Sequence, residues 1–366
     1  MNAKERNDEQ PSAFHIHLGI QYVIGIFQTA FSLYAAYSFG MIPWYMNVKR
    51  PSKIVRSLQK KQKTPVAIIG TGNIGSDLLT KIQRSQWLTC VLFAGKNPDS
   101  RGIARARTMG IPVSDASIEA IIKNSRSIDI VFDATSAEFH QIHAPILRKL
   151  KKFTLDMTPS KIGTMCVPVV NLKDGLTSQN VSMISCGGQA NIPLISAIMR
   201  IHPDVQYVEV VSSISSKSAG IGTRNNIDEY TQTTSDAIIN LTGVAKAKTI
   251  IILNPADPPI YMHNTIYIPV KNPDMERITV EIKKTVALII QYVPGYSVVL
   301  GPLYVNGKLI IMTEVVGLGD FLPAFAGNLD IINCAAVTVA EEYAKMHIYS
   351  ESKFTGMTRK LKHQRN

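Results

Sequence analysis

The sequence predicts an α/β chain of two domains, a doubly wound parallel sheet followed by a mixed α+β unit, and three observations predict it. A short β-type run, residues 65–69, leads directly into Gly70-Thr71-Gly72-Asn73-Ile74-Gly75 and then into a helical segment, 76–84. β-type and helical runs then alternate as far as Asp156, the pattern of successive βαβ units. After Cys186 the alternation stops and β-type runs cluster, two of them joined by Asn306-Gly307, the strongest short-range hairpin signal. At 366 residues the chain exceeds one typical domain, which fits two units.

Ahead of the first unit, residues 18–42 carry no formal charge, with Gln21 and Gln28 as the main polar interruptions. Such a stretch is long enough to span a bilayer as a helix. Glu5, Asp8 and Glu9 precede it, and Lys49, Arg50, Lys53, Arg56, Lys60, Lys61 and Lys63 follow, so the positive-inside rule would put the C-terminal bulk in the cytosol. The leading segment is not basic, as a secretory signal requires, and its early acids fit a transit peptide poorly. A membrane anchor is the expectation, ahead of an amphipathic extension packed on the body or a segment absent from the mature protein. Residues 1–63 are read as this extension with its basic linker.

Residues 64–185 read as the first domain. Strand, glycine loop and helix are the setting in which GxGxxG has physical meaning. Gly70 permits a tight turn, Gly72 lets the backbone approach a pyrophosphate, Gly75 lets helix and strand pack closely, and the helix N-terminus stabilises the anion. This predicts a Rossmann-type dinucleotide-binding domain. A second strand, 89–94, ends where an acid would bond the adenosine ribose of NAD, but the chain has Gly95-Lys96-Asn97 there. That leaves NADP open, with Lys96 or Arg101 near a 2′-phosphate. Helices near 103–109 and 117–124, a strand at 128–132, a helix near 140–149 and a strand at 153–156 follow. Asp133-Ala134-Thr135-Ser136 then sits at a strand's carboxyl end, where such sheets bind ligands.

At the start of the second domain, 186–326, an apolar strand (181–184) gives way to Ser185-Cys186-Gly187-Gly188-Gln189-Ala190. A thiol at a helix N-terminus meets unpaired N–H groups and the positive end of the helix dipole, so the Cys186 pKa is expected to fall and Cys186 reads as a nucleophile. Beyond it come a helix at 193–201, β-type runs at 207–215, 249–253 and 265–270, helices at 228–240 and 273–292, and the hairpin 297–305 with 308–316. The last helix, 328–345, bears an apolar face with Ile331, Ala335, Val339 and Tyr343 and is expected to return to the first domain, followed by a basic tail, 346–366.

The formal charge of +12 is carried by the ends. Residues 64–344 hold 24 Lys/Arg against 23 Asp/Glu, so the core is nearly neutral and the basic ends read as solvated tails, with no nucleic-acid partner. Cys90, Cys166, Cys186 and Cys334 lack CxxC pairs or a spacing with His that suits zinc, which implies neither a disulfide framework nor a metal site.

From about Thr64 to Lys345 the chain resembles the acylating acetaldehyde dehydrogenases. The stretches that carry the resemblance are 69–75, Asp133-Ala134-Thr135-Ser136-Ala137, Ser185 to Ala190, Ser215-Ser216-Lys217-Ser218-Ala219-Gly220-Ile221-Gly222-Thr223-Arg224, Asn254-Pro255-Ala256-Asp257-Pro258-Pro259, and Ala326-Gly327-Asn328-Leu329-Asp330-Ile331, in the family's order. The resemblance implies a glyceraldehyde-phosphate-dehydrogenase-like pairing of domains and conversion of acetaldehyde, CoA and NAD to acetyl-CoA and NADH. It also implies Cys186 as nucleophile and cofactor contacts at Thr71, Gly72, Asn73 and Ile74, at Lys217, Ser218, Ala219, Gly220, Ile221, Gly222, Thr223, Arg224 and Asn225, and at Asn328. A homodimer through the second domain is implied, and bacterial relatives often bind a 4-hydroxy-2-oxovalerate aldolase.

One departure touches the chemistry. After the NPAxPP segment the family commonly carries an acid where this chain has Asn264, in Met262-His263-Asn264-Thr265. Asn264 cannot accept a proton, so His263 or water would substitute, or activity would fall. The expected reaction is attack of the Cys186 thiolate on the aldehyde carbonyl, the oxyanion held by backbone N–H groups at the following helix start, then hydride transfer and release of the acyl group to CoA. His140 and His143 are three apart on a helix with no acidic partner recurring nearby, and read as packing or surface residues without a metal. Asp228 and Glu229 read as helix-start residues, Asp257 as a turn residue, and Arg224 equally as a phosphate contact or a loop cap. The alternatives are a phosphorylating semialdehyde dehydrogenase of the same fold, or a non-catalytic NAD-binding interaction protein.

Overall fold

A computed structural model of the chain describes residues 63–220, Arg224 and residues 227–363, with side chains to 348. The apolar stretch 18–42 and the loop residues Ile221, Gly222, Thr223 and Asn225 lie outside them. Strands β1 (Thr64–Ile69), β2 (Leu88–Ala94), β3 (Val113–Ser114), β4 (Ile130–Asp133), β5 (Phe153–Asp156), β6 (Thr164–Met165) and β7 (Asn180–Ser182) form an all-parallel sheet in the order β3-β2-β1-β4-β5-β7-β6. A parallel strand is covered on both faces, which is why β1 reads as an apolar run without alternation. Val66 and Ile68 pack with Phe93 and Phe132 on one side, and Ala67 and Ile69 with Ile121 and Val131 on the other.

The connecting helices are α1 (Asn73–Arg84), α2 (Arg101–Thr108), α3 (Ser117–Lys123), α4 (Ala137–Lys149) and α5 (Pro168–Thr177). Strand order reverses between β1 and β4, so the loops after these strands open on one crevice. β3, β6 and α5 have no counterpart in the sequence reading. Two-residue strands carry no periodicity, and Asn171 leaves helical geometry inside α5 (φ −144°), so no continuous 3.6-residue pattern exists there.

The second sheet contains β8 (Tyr207–Ser215), β9 (Lys246–Asn254), β10 (Met262–Pro269), β11 (Tyr296–Val305) and β12 (Lys308–Val315), in the order β11-β12-β10-β8-β9. Only β8 and β9 pair in parallel. Asn306 (φ 51°) and Gly307 (φ 75°) make the two-residue turn of the β11–β12 hairpin, the left-handed pair that such a turn requires. One face of the sheet, with Val208, Val210, Ile266 and Ile311, packs on α6 (Cys186–Met199), α7 (Ile227–Thr242) and α8 (Met275–Ile289). On the other face Val211, Thr265, Tyr267, Ile310 and Met312 are half-buried.

Helix α9 (Gly327–His363) sends Ile332, Ala335, Ala336, Val339, Ala340 and Ala344 into the core of the first sheet, beside α1. Its small residues permit that close approach. The carboxylates of Asp77, Asp320 and Asp330 converge nearby, and the Lys81 ammonium sits among them at 3.1, 2.9 and 2.6 Å. Among the described residues no helix is long and apolar enough to cross a membrane.

Candidate active site

The glycine loop divides its labour by position. Gly70 has φ +105°, and a Cβ there would fall 2.3 Å from the Ala134 carbonyl oxygen. A Cβ on Gly75 would lie 1.9 Å from the Gly70 carbonyl oxygen, so these two glycines are demanded by the fold. Gly72 is different, because a Cβ there would meet nothing within 4 Å. It faces open space at the start of α1, whose first turn has no side-chain cap. Bare N–H groups and the dipole of a helix start make an anion site there.

That opening is one end of a cavity of about 520 Å³. Its walls are Gly72, Asn73 and Ile74, the loops 134–137 and 157–159 after β4 and β5, and Cys186, Tyr230, Gly220 and Asn328. Asn328 is buried and its Oδ1 has no hydrogen-bond partner, so one polar atom at the cavity wall is left for a ligand. An open glycine, a bare helix start and an orphaned amide oxygen fit a dinucleotide.

Cys186 is the first residue of α6, seven positions earlier than the start expected at Pro193. Ser185 caps the helix, its Oγ accepting from Gly188 N–H at 2.9 Å, and Pro193 is accommodated inside. The partly buried thiol lies 3.5 Å from Tyr230 Oη, which also accepts from Gly187 N–H at 3.1 Å. Two expectations are corrected here. Burial pushes the Cys186 thiol up rather than down, against the hydrogen bonds from Tyr230 and the helix start that favour the thiolate. The Gly187 and Gly188 N–H groups are also already engaged, by Tyr230 and Ser185, and are not free donors for an oxyanion.

Asn264 stands fully buried on β10. Its Oδ1 accepts from Ser212 Oγ at 2.8 Å and from Asn191 Nδ2 at 3.2 Å, and its Nδ2 donates to Thr313 Oγ1 at 3.1 Å. His263 points to the opposite face of the strand, with Nε2 3.0 Å from Glu314, so it does not replace the missing acid. The alternation of a β-strand separates these two neighbours.

His140 and His143 do have an acidic partner, contrary to the sequence reading. Both place Nδ1 2.9 Å from Asp133 Oδ2, at the end of β4. His140 Nε2 lies 3.0 Å from the Asn180 amide and 3.6 Å from Asp156 Oδ2. Asp133 also accepts from Thr135, and Asp156 from Thr158 and Ser160, so this buried cluster fixes both loops that wall the cavity.

Other predicted residues are less direct. Thr71 Oγ1 accepts from Ser100 and is not at the cavity wall. Lys217 pairs with exposed Asp257 at 3.2 Å, Ser218 and Ala219 are buried, and Arg224 donates to the Ser216 and Ala219 carbonyls as a loop cap. Asp228 and Glu229 occupy the first turn of α7. Cys90, Cys166 and Cys334 are buried, and burial pushes the first two up to about 12. Sequence reasoning missed Tyr230, Ser212 and Asn191, which lie on three separate elements and share no local motif.

A family model described as prokaryotic acetaldehyde dehydrogenase, dimerisation, matches residues 186–323, and one described as semialdehyde dehydrogenase, NAD binding domain, matches 65–173. The chain is 52% identical over 280 residues to an acetaldehyde dehydrogenase of Spirochaeta aurantia, covering 76% of this chain and 94% of that one. It is 47% identical over 292 residues to one of Geobacillus stearothermophilus, covering 79% and 99%. Among solved structures, aspartate semialdehyde dehydrogenase II of Vibrio cholerae shares the fold at TM-score 0.52 and 13% identity, over 76% of this chain and 98% of that one.

Proposed function

The chain belongs to the acetaldehyde dehydrogenase family, and from that premise we propose that it converts acetaldehyde, CoA and NAD to acetyl-CoA and NADH through an acyl thioester on Cys186. The observation that carries this is one cavity that has Cys186 at one wall and the open Gly72 loop at another. Asn73, Ile74, Gly220 and Asn328 are the remaining residues proposed to hold the dinucleotide. NAD, when bound, supplies the hydride acceptor.

Cys186 Sγ forms a bond to the aldehyde carbon as the carbonyl π pair moves to oxygen. Loss of hydride from that carbon leaves a thioester, and the CoA sulfur then displaces Sγ. Exchange between two thioesters is nearly balanced, so the chain's task is to admit a thiol and exclude water. The cavity wall suits this, with no charged side chain among its lining residues.

NADH formation from acetaldehyde is expected to depend on CoA and to vanish in Cys186→Ser, which should still bind NAD. No NADH from folded, NAD-binding wild-type protein would overturn the reading and favour a non-catalytic NAD-binding role. Phosphate replacing CoA would instead identify a phosphorylating enzyme. We further propose a homodimer through the second domain, and, on the resemblance alone, pairing with a 4-hydroxy-2-oxovalerate aldolase, which co-purification of the two chains tests. Anchoring through residues 18–42 rests on composition. Full-length chain floating with lipid vesicles, and a chain beginning at Thr64 failing to do so, is the expected result.

A further inference from the structure

The hydrogen-bond polarity around Cys186 is determined by one carbonyl. Gly187 C=O can only accept, so Asn191 Nδ2, 2.8 Å away, must be the donor. The same Nδ2 lies 3.2 Å from an Asn264 side-chain atom, which is therefore the acceptor Oδ1. Ser212 Oγ, 2.8 Å from that Oδ1, must spend its only hydrogen there. Tyr230 Oη and Ser212 Oγ both border Gly187, and toward that hydroxyl Ser212 Oγ, with its hydrogen spent, can only accept. Gly187 N–H donates to Tyr230 Oη at 3.1 Å. The phenol hydrogen thus has two places to go, Ser212 Oγ or Cys186 Sγ, and Sγ lies 3.5 Å away.

We propose that Tyr230 is a catalytic residue, the hydrogen-bond donor that holds Cys186 Sγ as the thiolate, with Ser212, oriented by Asn264, as the competing acceptor for the same O–H. This deepens the reading of Cys186 as the nucleophile and rests on it. The thiol proton leaves to water through the cavity, and the phenol stays protonated. Its burial suits that role, because a buried phenol resists ionisation and remains a donor. Among the described residues no charged group acts on Cys186. On the elements packed against α6, Asp228 and Glu229 are exposed, Asp236 is paired with Lys161, Asp330 with Lys81, and His263 with Glu314. Tyr230 is accordingly the titratable side chain in contact with the thiol.

The test is the pH dependence of Cys186 alkylation by iodoacetamide on the full chain, which needs no substrate. Tyr230→Phe should move the midpoint up by about one pH unit, giving about tenfold slower alkylation at neutral pH. Ser212→Ala, which removes the competing acceptor, should move it the other way. Unchanged thermal midpoint and NAD affinity would show that packing is retained, and kcat for NADH formation should fall in Tyr230→Phe with little change in KM for acetaldehyde. An unshifted alkylation profile in Tyr230→Phe, or shifts of the same sign in both variants, would overturn the proposal. Absence of CoA-dependent NADH in the wild type would sink the enzyme reading instead, so the two failures are distinguishable.

Discussion

Asp133 ends β4 without solvent exposure and takes two imidazoles on one carboxylate oxygen, which places a buried ionic cluster directly beneath the cavity loops. The two histidines hold the Asp133 carboxyl well below the usual range despite its burial, while burial pushes Asp156 up to about 6. Burial also opposes the charge on His140, yet Asp133, Asp156 and Asn180 outweigh it and raise its pKa above 6.5. The folded chain therefore binds that proton more tightly than the unfolded chain. Its stabilising contribution is complete below pH 6.5 and is lost as pH rises through the higher folded value. Asp133 is ionised throughout that rise, and replacing His140 isolates its part of the change in the cluster. His140→Gln should lower stability by about 3–5 kcal/mol, since it removes the cation that Asp133 and Asp156 share and leaves His143 as the remaining imidazole on Asp133. The gap in thermal midpoint between wild type and variant should be widest near pH 6 and narrow toward pH 9; a constant gap contradicts the assignment. None of this was legible in the sequence, where Asp133 stands seven and ten residues from its partners and belongs to a different element.

For the element scale the glycine loop is the sharpest case, because its motif was legible and its division of labour was tested by geometry. Gly75→Ala should destabilise the chain by about 1–3 kcal/mol, because its Cβ would lie 1.9 Å from the Gly70 oxygen and α1 must shift away from β1. Gly72→Ala should leave the thermal midpoint nearly unchanged, since φ is −80° and no atom lies within 4 Å. It should nonetheless weaken NAD binding about tenfold or more, read by titration, because the methyl group occupies the space reserved for the pyrophosphate. Equal stability losses in both variants would refute the distinction. Helix α6 shows the limit of element reading. Pro193 suggested a start, but Ser185 supplies the cap, and a proline inside a helix costs one hydrogen bond without ending it when the surrounding side chains are fully buried.

Across the whole molecule, the second sheet has one face sealed by α6, α7 and α8 and another left half-open. Val211, Thr265 and Met312 stand in register across three strands, with Tyr267 beside Ile310. An apolar stripe of this kind within the region matched by a dimerisation family is the expected contact between two copies. Ile310→Lys together with Met312→Lys should convert dimer to monomer in sedimentation while leaving the fold intact, and an unchanged mass would place the interface elsewhere. The sequence by itself determined what depends on neighbours along the chain: the glycine loop, the hairpin at Asn306-Gly307, the alternation that makes a parallel sheet, and a cysteine at a helix start. Only the tertiary structure decided what depends on groups brought together from afar. Burial, not the helix dipole, governs the resting thiol; Tyr230 approaches it from α7, and Ser212 on β8 joins Asn264; and strand alternation turns Asn264 inward while sending His263 to the other face. Local pattern records the geometry of a single element, whereas the solvation and partners of a buried group are properties of the packed core.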